Sequence, residues 1–359
     1  MIRALTLETL QIPFKVAFRH AAASRDATSS LWMEAITTSG TRGRGESCPR
    51  PYVTGETVET AYAFFERHNV EIVREVVDLT SLRAWAASHE SDLDANPAAW
   101  CAIELALLDA LAREEKLTIE QFLSLPPLAG RFRYTAVLGD QDGDVFRASA
   151  DQYRRFGFQD FKVKLSGDPR RDRDKIAVVR EWGDAVRVRA DANNLWDSAE
   201  AAVAFLRDLA YPFFAIEEPI RPNQYADLAR LAAALECPII LDESLLRAAQ
   251  IGRLGGPSAS WLINVRVSKM GGLLRSLDVV QAARTAGIGV IVGAQVGETS
   301  LLTRVALIVA QAAGSILVAQ EGAFGTFLLE RDICDPPLMF GAGGILDASS
   351  VKTGVGIDV

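Results

Sequence analysis

Five charged blocks recur along this chain at a nearly constant spacing. Lys162-Val163-Lys164, Asp191-Ala192-Asn193, Glu217-Glu218-Pro219 and Asp242-Glu243-Ser244 are followed by Lys269. The steps from Lys164 to Asp191, Glu217, Asp242 and Lys269 are 27, 26, 25 and 27 residues. Each block closes an apolar, strand-like run, so the interval is that of one strand, one helix and their loops. A rhythm of that kind predicts a parallel sheet with crossover helices. Strand candidates fall at 133–138, 160–165, 186–191, 213–217, 238–242, 261–267, 288–293 and 315–320. Helix candidates between them lie at 169–182, 197–209, 223–235, 271–286 and 298–312. Eight strands at this period predict an α/β fold, a closed (β/α) barrel rather than an open sheet.

The first 125 residues read differently. Residues 2–12 and 30–37 are strand-like, with Ser39-Gly40 as a turn, and helix signals follow. Thr57 or Gly55 can open one helix. Asn96-Pro97 offers an N-cap with proline at the first helical position, ahead of Ile103, Leu107, Ala110 and Leu111. Strands followed by clustered helices make an α+β unit. The small, polar stretch 19–30 between the strands, with His20 and Arg25, reads as a surface loop over the barrel mouth. Pro126-Pro127 reads as a linker. The expected division is a capping domain over 1–125, completed by about 325–359, and a barrel over 126–324. The Gly- and Pro-rich tail is expected to return to the first domain in extended form.

In such a barrel the catalytic groups stand at the C-terminal ends of the strands, where the blocks fall. Lys162 and Lys164 point the same way on their strand. Two ammonium groups on one face are expected to lower each other's pKa, toward the range of a general base. Asp191, Glu217 and Asp242, from consecutive strands, are oxygen ligands of the kind Mg²⁺ takes while leaving positions for substrate oxygens. A metal on a substrate carboxylate stabilises the enediolate formed when the α-proton leaves. Lys269 arrives from the opposite side of the mouth, so a planar intermediate would meet a base on each face. Each motif alone is weak. A Lys-x-Lys is usually a solvated edge, and Asp242 or Ser244 can simply cap the next helix. Their coincidence at one period carries the reading. A catalytically silent ligand-binding barrel has no use for three clustered carboxylates whose repulsion a metal must offset.

Composition narrows the partners. A net charge of −8 argues against nucleic acid. No apolar run approaches the length of a membrane span, and the first residues lack a signal-peptide layout, so a cytoplasmic enzyme is expected. The four cysteines show no CxxC spacing. The three histidines (His20, His68, His89) lie outside the barrel-like part, which leaves a histidine-rich metal site nearly excluded.

On Lys162-Val-Lys164, Asp191, Glu217-Glu-Pro, Asp242-Glu-Ser and Lys269-Met-Gly-Gly272, the chain resembles the enolase superfamily in its muconate-lactonizing-enzyme subgroup. The resemblance implies a modified TIM barrel, (β/α)₇β, with an α+β capping domain formed from both termini. It implies that Lys164 and Lys269 are the acid/base pair and that Lys162 assists electrostatically. Asp191, Glu217 and Asp242 would bind one Mg²⁺, or Mn²⁺ in its place, for a small-molecule carboxylate substrate. It also implies a homo-oligomer. Within the subgroup the reaction is expected to be racemisation or epimerisation of an amino acid derivative or dipeptide. Muconate-type cycloisomerisation is the alternative, then dehydration of the o-succinylbenzoate synthase kind.

Further residues are named for the pocket. Asn193 is placed to bond around the first ligand. Counting on from Lys269 puts Gln295 at the end of the seventh strand and Gln320 and Gly322 on the eighth. The latter two stand where many dipeptide epimerases carry an Asp-x-Asp pair, which puts a free-amine dipeptide in doubt. Alternation points Glu321 away from the pocket, and Arg266, three residues before Lys269, is expected to face away too. Glu298 serves either the N-terminus of the next helix or a contact to Lys269. Arg25 could pair with a distal substrate carboxylate, and Tyr52 could line the second capping loop.

Overall fold

The structure, a computed structural model, describes residues 1–20, 23–348 and 353–357; side chains at 16–20, 23, 24 and 184 lie outside the described set. Eight parallel strands follow one another around one sheet: β1 (Ala136–Leu138), β2 (Asp160–Lys164), β3 (Arg187–Asp191), β4 (Ile216–Glu217), β5 (Ile239–Leu241), β6 (Trp261–Val265), β7 (Gly289–Val292) and β8 (Leu317–Gln320). The Thr135 N–H donates to the Gln320 carbonyl at 2.7 Å, which brings the first strand to the last and closes the barrel.

The connections mostly follow the expected order. Helices Pro169–Arg180, Ala199–Leu209, Tyr225–Leu235, Leu273–Ala286 and Ser300–Ala313 match the five expected from periodicity. A sixth, Gly143–Phe156, joins β1 to β2. β5 and β6 are joined by short 3₁₀ turns, Ala248–Arg253 and Ser258–Ser260. No α-helix follows β8 among the described residues, which leaves the (β/α)₇β pattern. The interior alternates as the pleat requires. Ala215, Ile240, Leu262, Ile291 and Ala319 form an apolar plug inside the barrel, below the charged strand ends.

The N-terminal part begins with an antiparallel sheet of Ile2–Leu10, Ser30–Thr37 and Arg42–Ser47. Its close partner is the helix Pro97–Glu114, buried from Pro97 to Ala112 because it lies between sheet and barrel. The approach is tight enough that a Cβ on Gly45 would sit 2.0 Å from the Ala102 carbonyl oxygen. Asn96 does not cap this helix through its side chain. Glu56 does so instead, accepting from the N–H groups of Ala98 (2.8 Å) and Ala99 (3.0 Å). A carboxylate there satisfies two orphan donors and complements the helix dipole. Thr57 caps the helix Val58–Glu75, as expected.

The stretch 19–30 is not a simple loop. Pro13–His20 and Ala23–Ala27 pair as an antiparallel hairpin, with residues 21 and 22 outside the described set. Backbone pairing takes the place of the loop because the polar side chains do not prevent a ladder. The side chain of His20 is outside the described residues. In the tail, Gly354 exchanges backbone hydrogen bonds with Leu117 (2.8 Å) and Ile119 (2.9 Å), and Val355 N–H donates to Asp109 Oδ1 at 2.6 Å.

Candidate active site

At the C-terminal ends of β2 to β6 the side chains converge on one buried cluster. Lys162 and Lys164 share a face of β2: their Nζ atoms lie 3.4 and 3.0 Å from the same oxygen, Asp191 Oδ2. Asn193, held at a positive φ of 44° two residues past Asp191, accepts from Lys164 Nζ at 2.8 Å. Glu217 accepts from Lys162 Nζ (3.2 Å) and from Asn264 Nδ2 (3.0 Å). Lys269 Nζ donates to Asp242 Oδ1 (2.8 Å) and to the backbone carbonyls of Asp242 (2.7 Å) and Asn264 (2.6 Å). Glu218, beside Glu217, points the other way. It accepts from the N–H groups of Asp242 and Ser244, both at 2.7 Å, and so fixes the loop that carries Asp242.

Lys269 owes its position to a break in the strand. β6 ends at Val265, and one helical turn, Val267–Met270, swings the chain round. The turn ends in two positive-φ glycines, Gly271 (87°) and Gly272 (105°). A Cβ on Gly272 would lie 2.3 Å from Glu104 Oε1. Glu104, from the long buried helix, accepts from Leu274 N–H at 3.0 Å and closes the start of the next helix. On the other flank, Cys48 N–H donates to Ser268 Oγ at 2.9 Å.

This break also corrects the reading of Arg266. Three residues separate it from Lys269, but the helical turn brings both side chains to the same place. Arg266 is bonded to Asp242, donates to Gln295 Oε1 at 3.3 Å, and its guanidinium lies 3.6 Å from Glu217. Gln295 is therefore in the cluster, and Arg266 is a pocket residue that pattern reasoning missed.

The eighth strand departs from the count as well. Val290 pairs with Leu317 and Ile291 with Ala319, so a bulge at Val318 slips the register by one. Ala319 then faces inward and Gln320 outward, its Nε2 buried without a hydrogen bond. Glu321 takes the interior place, 2.9 Å from Lys162 Nζ and 2.6 Å from Arg189 Nη2. Arg189, two residues before Asp191 and fully buried, also reaches Asp160 Oδ1 at 2.8 Å. Alternation from Asp191 alone could have found Arg189. Gly322 brings no side chain to this wall.

Glu298 accepts from Gln295 N–H at 2.6 Å. The helix Ser300–Ala313 is instead capped by Thr299 and by Glu46, which accepts from Thr299 N–H at 3.0 Å. No contact of Glu298 to Lys269 appears among the described residues, because Lys269 is already held by three oxygens. Burial pushes the Glu298 carboxyl up to about 8, with Glu46 adding to the rise and Arg266 opposing it. Arg25 is half-buried beside Tyr52, Arg50 and Cys48. Burial and the Arg50 charge lower its pKa, while a hydrogen bond to Tyr52 opposes them. Arg50 donates to the Val296 carbonyl at 2.5 Å and ties this corner to the loop after β7.

Burial dominates the electrostatics, and the balance of neighbours decides each group. Burial alone would lower Lys162, but Glu217, Glu321 and Asp191 outweigh it and hold its ammonium well above the ordinary value. The expected lowering by Lys164 is overturned by those three carboxylates. Asp191 is held low against its burial by Lys164 and Lys162, and Asp242 by Arg266 and Lys269. Glu217 is pushed up to about 7 by burial, with Asp191, Glu321 and Asp242 adding repulsion against Lys162. The donor set of Asp191, Glu217 and Asp242, each 1% exposed and on adjacent strands, suits a hard divalent cation. Asn264 Oδ1 lies in the same cluster, buried and without a hydrogen bond.

The model of the family described as Enolase C-terminal domain-like matches residues 145–359. A hydrophobic dipeptide epimerase of Enterococcus faecalis is 26% identical over 340 residues, covering 92% of each chain. An N-succinyl-L-Arg/Lys racemase of Bacillus cereus is 24% identical over 312 residues, covering 82% of this chain and 80% of that one. The crystal structure of the Enterococcus faecalis dipeptide epimerase complexed with Mg and L-Leu-L-Tyr superposes with a TM-score of 0.89. It is 24% identical and covers 100% of this chain and 99% of that chain.

Proposed function

The chain belongs to the enolase superfamily, and from that premise we propose that it is a Mg²⁺-dependent acid/base isomerase acting on a carboxylate substrate. It removes the α-proton on one face of the α-carbon and returns a proton on the other, as a racemase or epimerase of an amino acid derivative or dipeptide. One observation carries the reading. Lys164 ends β2 and Lys269 follows β6, four strands apart in an eight-strand barrel, with Asp191, Glu217 and Asp242 on the three strands between.

Asp191, Glu217 and Asp242 would hold the Mg²⁺, which when bound supplies positive charge to the substrate carboxylate and its enediolate. Lys162, fixed between Glu217, Asp191 and Glu321, keeps a further positive charge at that point. Lys164 and Lys269 exchange the proton, one as base and the other as acid, and their roles reverse with the direction of reaction. Asn193 orients Lys164 through its side-chain oxygen.

The substrate's α-nitrogen is proposed to be acylated or otherwise uncharged. Glu321 is already neutralised by Lys162 and Arg189, Gln320 points outward, and Gly322 has no carboxylate to offer an ammonium. The Bacillus cereus relative is named for an N-succinyl substrate, which is in keeping with this preference. The same missing acidic pair favours, as a second reading, a lactonizing or dehydrating reaction on a substrate without nitrogen.

The test is proton NMR in D₂O with Mg²⁺, on pooled N-acylamino acids and dipeptides. Loss of an α-proton signal is expected from an N-acyl pool, and with Lys164→Ala that loss should disappear for one enantiomer. No exchange in any pool, with the metal shown to bind, would sink the racemase or epimerase reading. Turnover of muconates or hydroxy acids would then establish the second.

A further inference from the structure

Two of the three histidines, far from the barrel mouth in sequence, meet in the helical part of the N-terminal region. His68 and Glu71 lie one turn apart on the helix Val58–Glu75, and His89 ends the helix Leu79–Ser88. The ring centroids of His68 and His89 are 5.3 Å apart. Glu71 Oε2 sits between them, 3.3 Å from His89 Nε2 and 3.8 Å from His68 Nδ1. The turn between the two helices brings His89 back over His68, although the two are 21 residues apart in sequence.

We propose that His68, Glu71 and His89 form a second metal site, selective for Zn²⁺ or a similar transition ion, separate from the barrel site. The spacing supports it. Metal–ligand bonds of about 2.0–2.1 Å at tetrahedral angles put donor atoms about 3.3–3.4 Å apart. The three donor atoms all lie within 4.8 Å of one another, and the Glu71–His89 gap already has the tetrahedral value.

The far side of each imidazole supports it as well. His89 Nδ1 lies 3.0 Å from the Trp85 carbonyl oxygen. Donation there fixes the Nδ1 proton and leaves the Nε2 lone pair facing Glu71. Trp85 stacks on the same ring at 4.0 Å and 15°, which holds its plane. His68 is 6% exposed, and its Nε2 is buried without a hydrogen bond. That nitrogen faces Asp92 Oδ2 at 3.4 Å. With Nδ1 as the ligand, Nε2–H would be turned to a carboxylate, the partner that metal-bound histidines commonly have.

Ligand type sets the metal. Two imidazoles and one carboxylate suit Zn²⁺ over Mg²⁺ or Ca²⁺, which prefer oxygen. Glu71 is about one-third exposed, so the fourth position opens to solvent and takes water. The site would clamp the two helices together.

Zinc content of the full chain tests this after dialysis against Zn²⁺ in excess Mg²⁺, which competes for the all-oxygen barrel site. One tightly held zinc per chain is expected in the wild type and in Asp191→Asn. His89→Ala and Glu71→Gln, both at partly exposed positions, should hold none. Zn²⁺ should also raise the melting temperature of the wild type and of Asp191→Asn, and leave that of His89→Ala unchanged. A wild type that retains no zinc overturns the proposal. So does a His89→Ala or Glu71→Gln chain that retains as much as the wild type.

Discussion

The two lysines at the barrel mouth are held in different ways. Lys164 is positioned by the barrel alone: its strand pairs residue for residue with β3, and its ammonium is fixed by Asp191 and Asn193 of that neighbour. Lys269 sits outside its strand, on a helical turn clasped by the N-terminal part of the chain. Cys48 bonds Ser268 on one flank, and Glu104 bonds Leu274 and fills the space beside Gly272 on the other. One lysine is thus a property of the sheet. The other is a property of a seam between two parts of the molecule, and disturbances of that seam should reach only one face of the substrate.

The largest effect is expected from removing either of the two proposed bases. Lys164→Ala and Lys269→Ala should each lower racemisation roughly 10²–10⁴-fold. Each should keep exchange of the α-hydrogen with D₂O for one enantiomer only, opposite in the two variants. Chirally resolved NMR reads this directly. Equal loss for both enantiomers in both variants would break the division of the site into two faces.

A smaller effect separates barrel support from seam support. Asn193→Gly keeps the left-handed backbone and removes the oxygen that orients Lys164. A hydrogen bond to a charged group is worth about 1.5–3 kcal/mol, so exchange through Lys164 should fall about tenfold or more while exchange through Lys269 stays. Gly272→Ala should do the reverse. Its Cβ would collide with Glu104, and a φ of 105° strains any L side chain, at about 2–4 kcal/mol in total. The melting temperature should drop and exchange through Lys269 should fall. An unchanged Lys269 half in Gly272→Ala would show that the seam does not position that lysine.

The same contrast explains what could be read from the sequence. The barrel and the charged residues at its strand ends were legible because a sheet imposes one period on apolar runs and charges together. Lys162, Lys164, Asp191, Glu217 and Asp242 follow from that period. What failed lay where the chain leaves regular geometry. The bulge at Val318 moved Glu321 inward and Gln320 outward. The helical turn after β6 brought Arg266 inside with Lys269. The cap of the helix Pro97–Glu114 came from Glu56, about forty residues earlier, and not from the adjacent Asn96. Short-range signals cannot report a partner supplied by the tertiary fold, and His68 and His89 meet for the same reason.

The smallest effect concerns pH. The seam near Lys269 rests on Glu104, a buried carboxyl that is pushed up, whereas Asp191, the carboxylate beside Lys164, is held low against its burial by the two lysines. Burial pushes Glu104 up to about 7, against the hydrogen bonds from Leu274 and Leu273 and the Arg275 charge that favour ionisation. Its ordinary value is 4.5, so between the two the folded chain keeps a proton that the unfolded chain has released. Stability is then fully present below about pH 4.5 and declines as pH rises toward 7, by on the order of 1–3 kcal/mol from this group. Glu104→Gln keeps an acceptor for Leu274 N–H and removes the titration. Denaturant melts across this window should give a flatter stability profile for Glu104→Gln than for the wild type. An identical slope in the two chains would mean that Glu104 ionises in the folded protein as freely as in the unfolded one, and that the seam holds Lys269 without a buried proton.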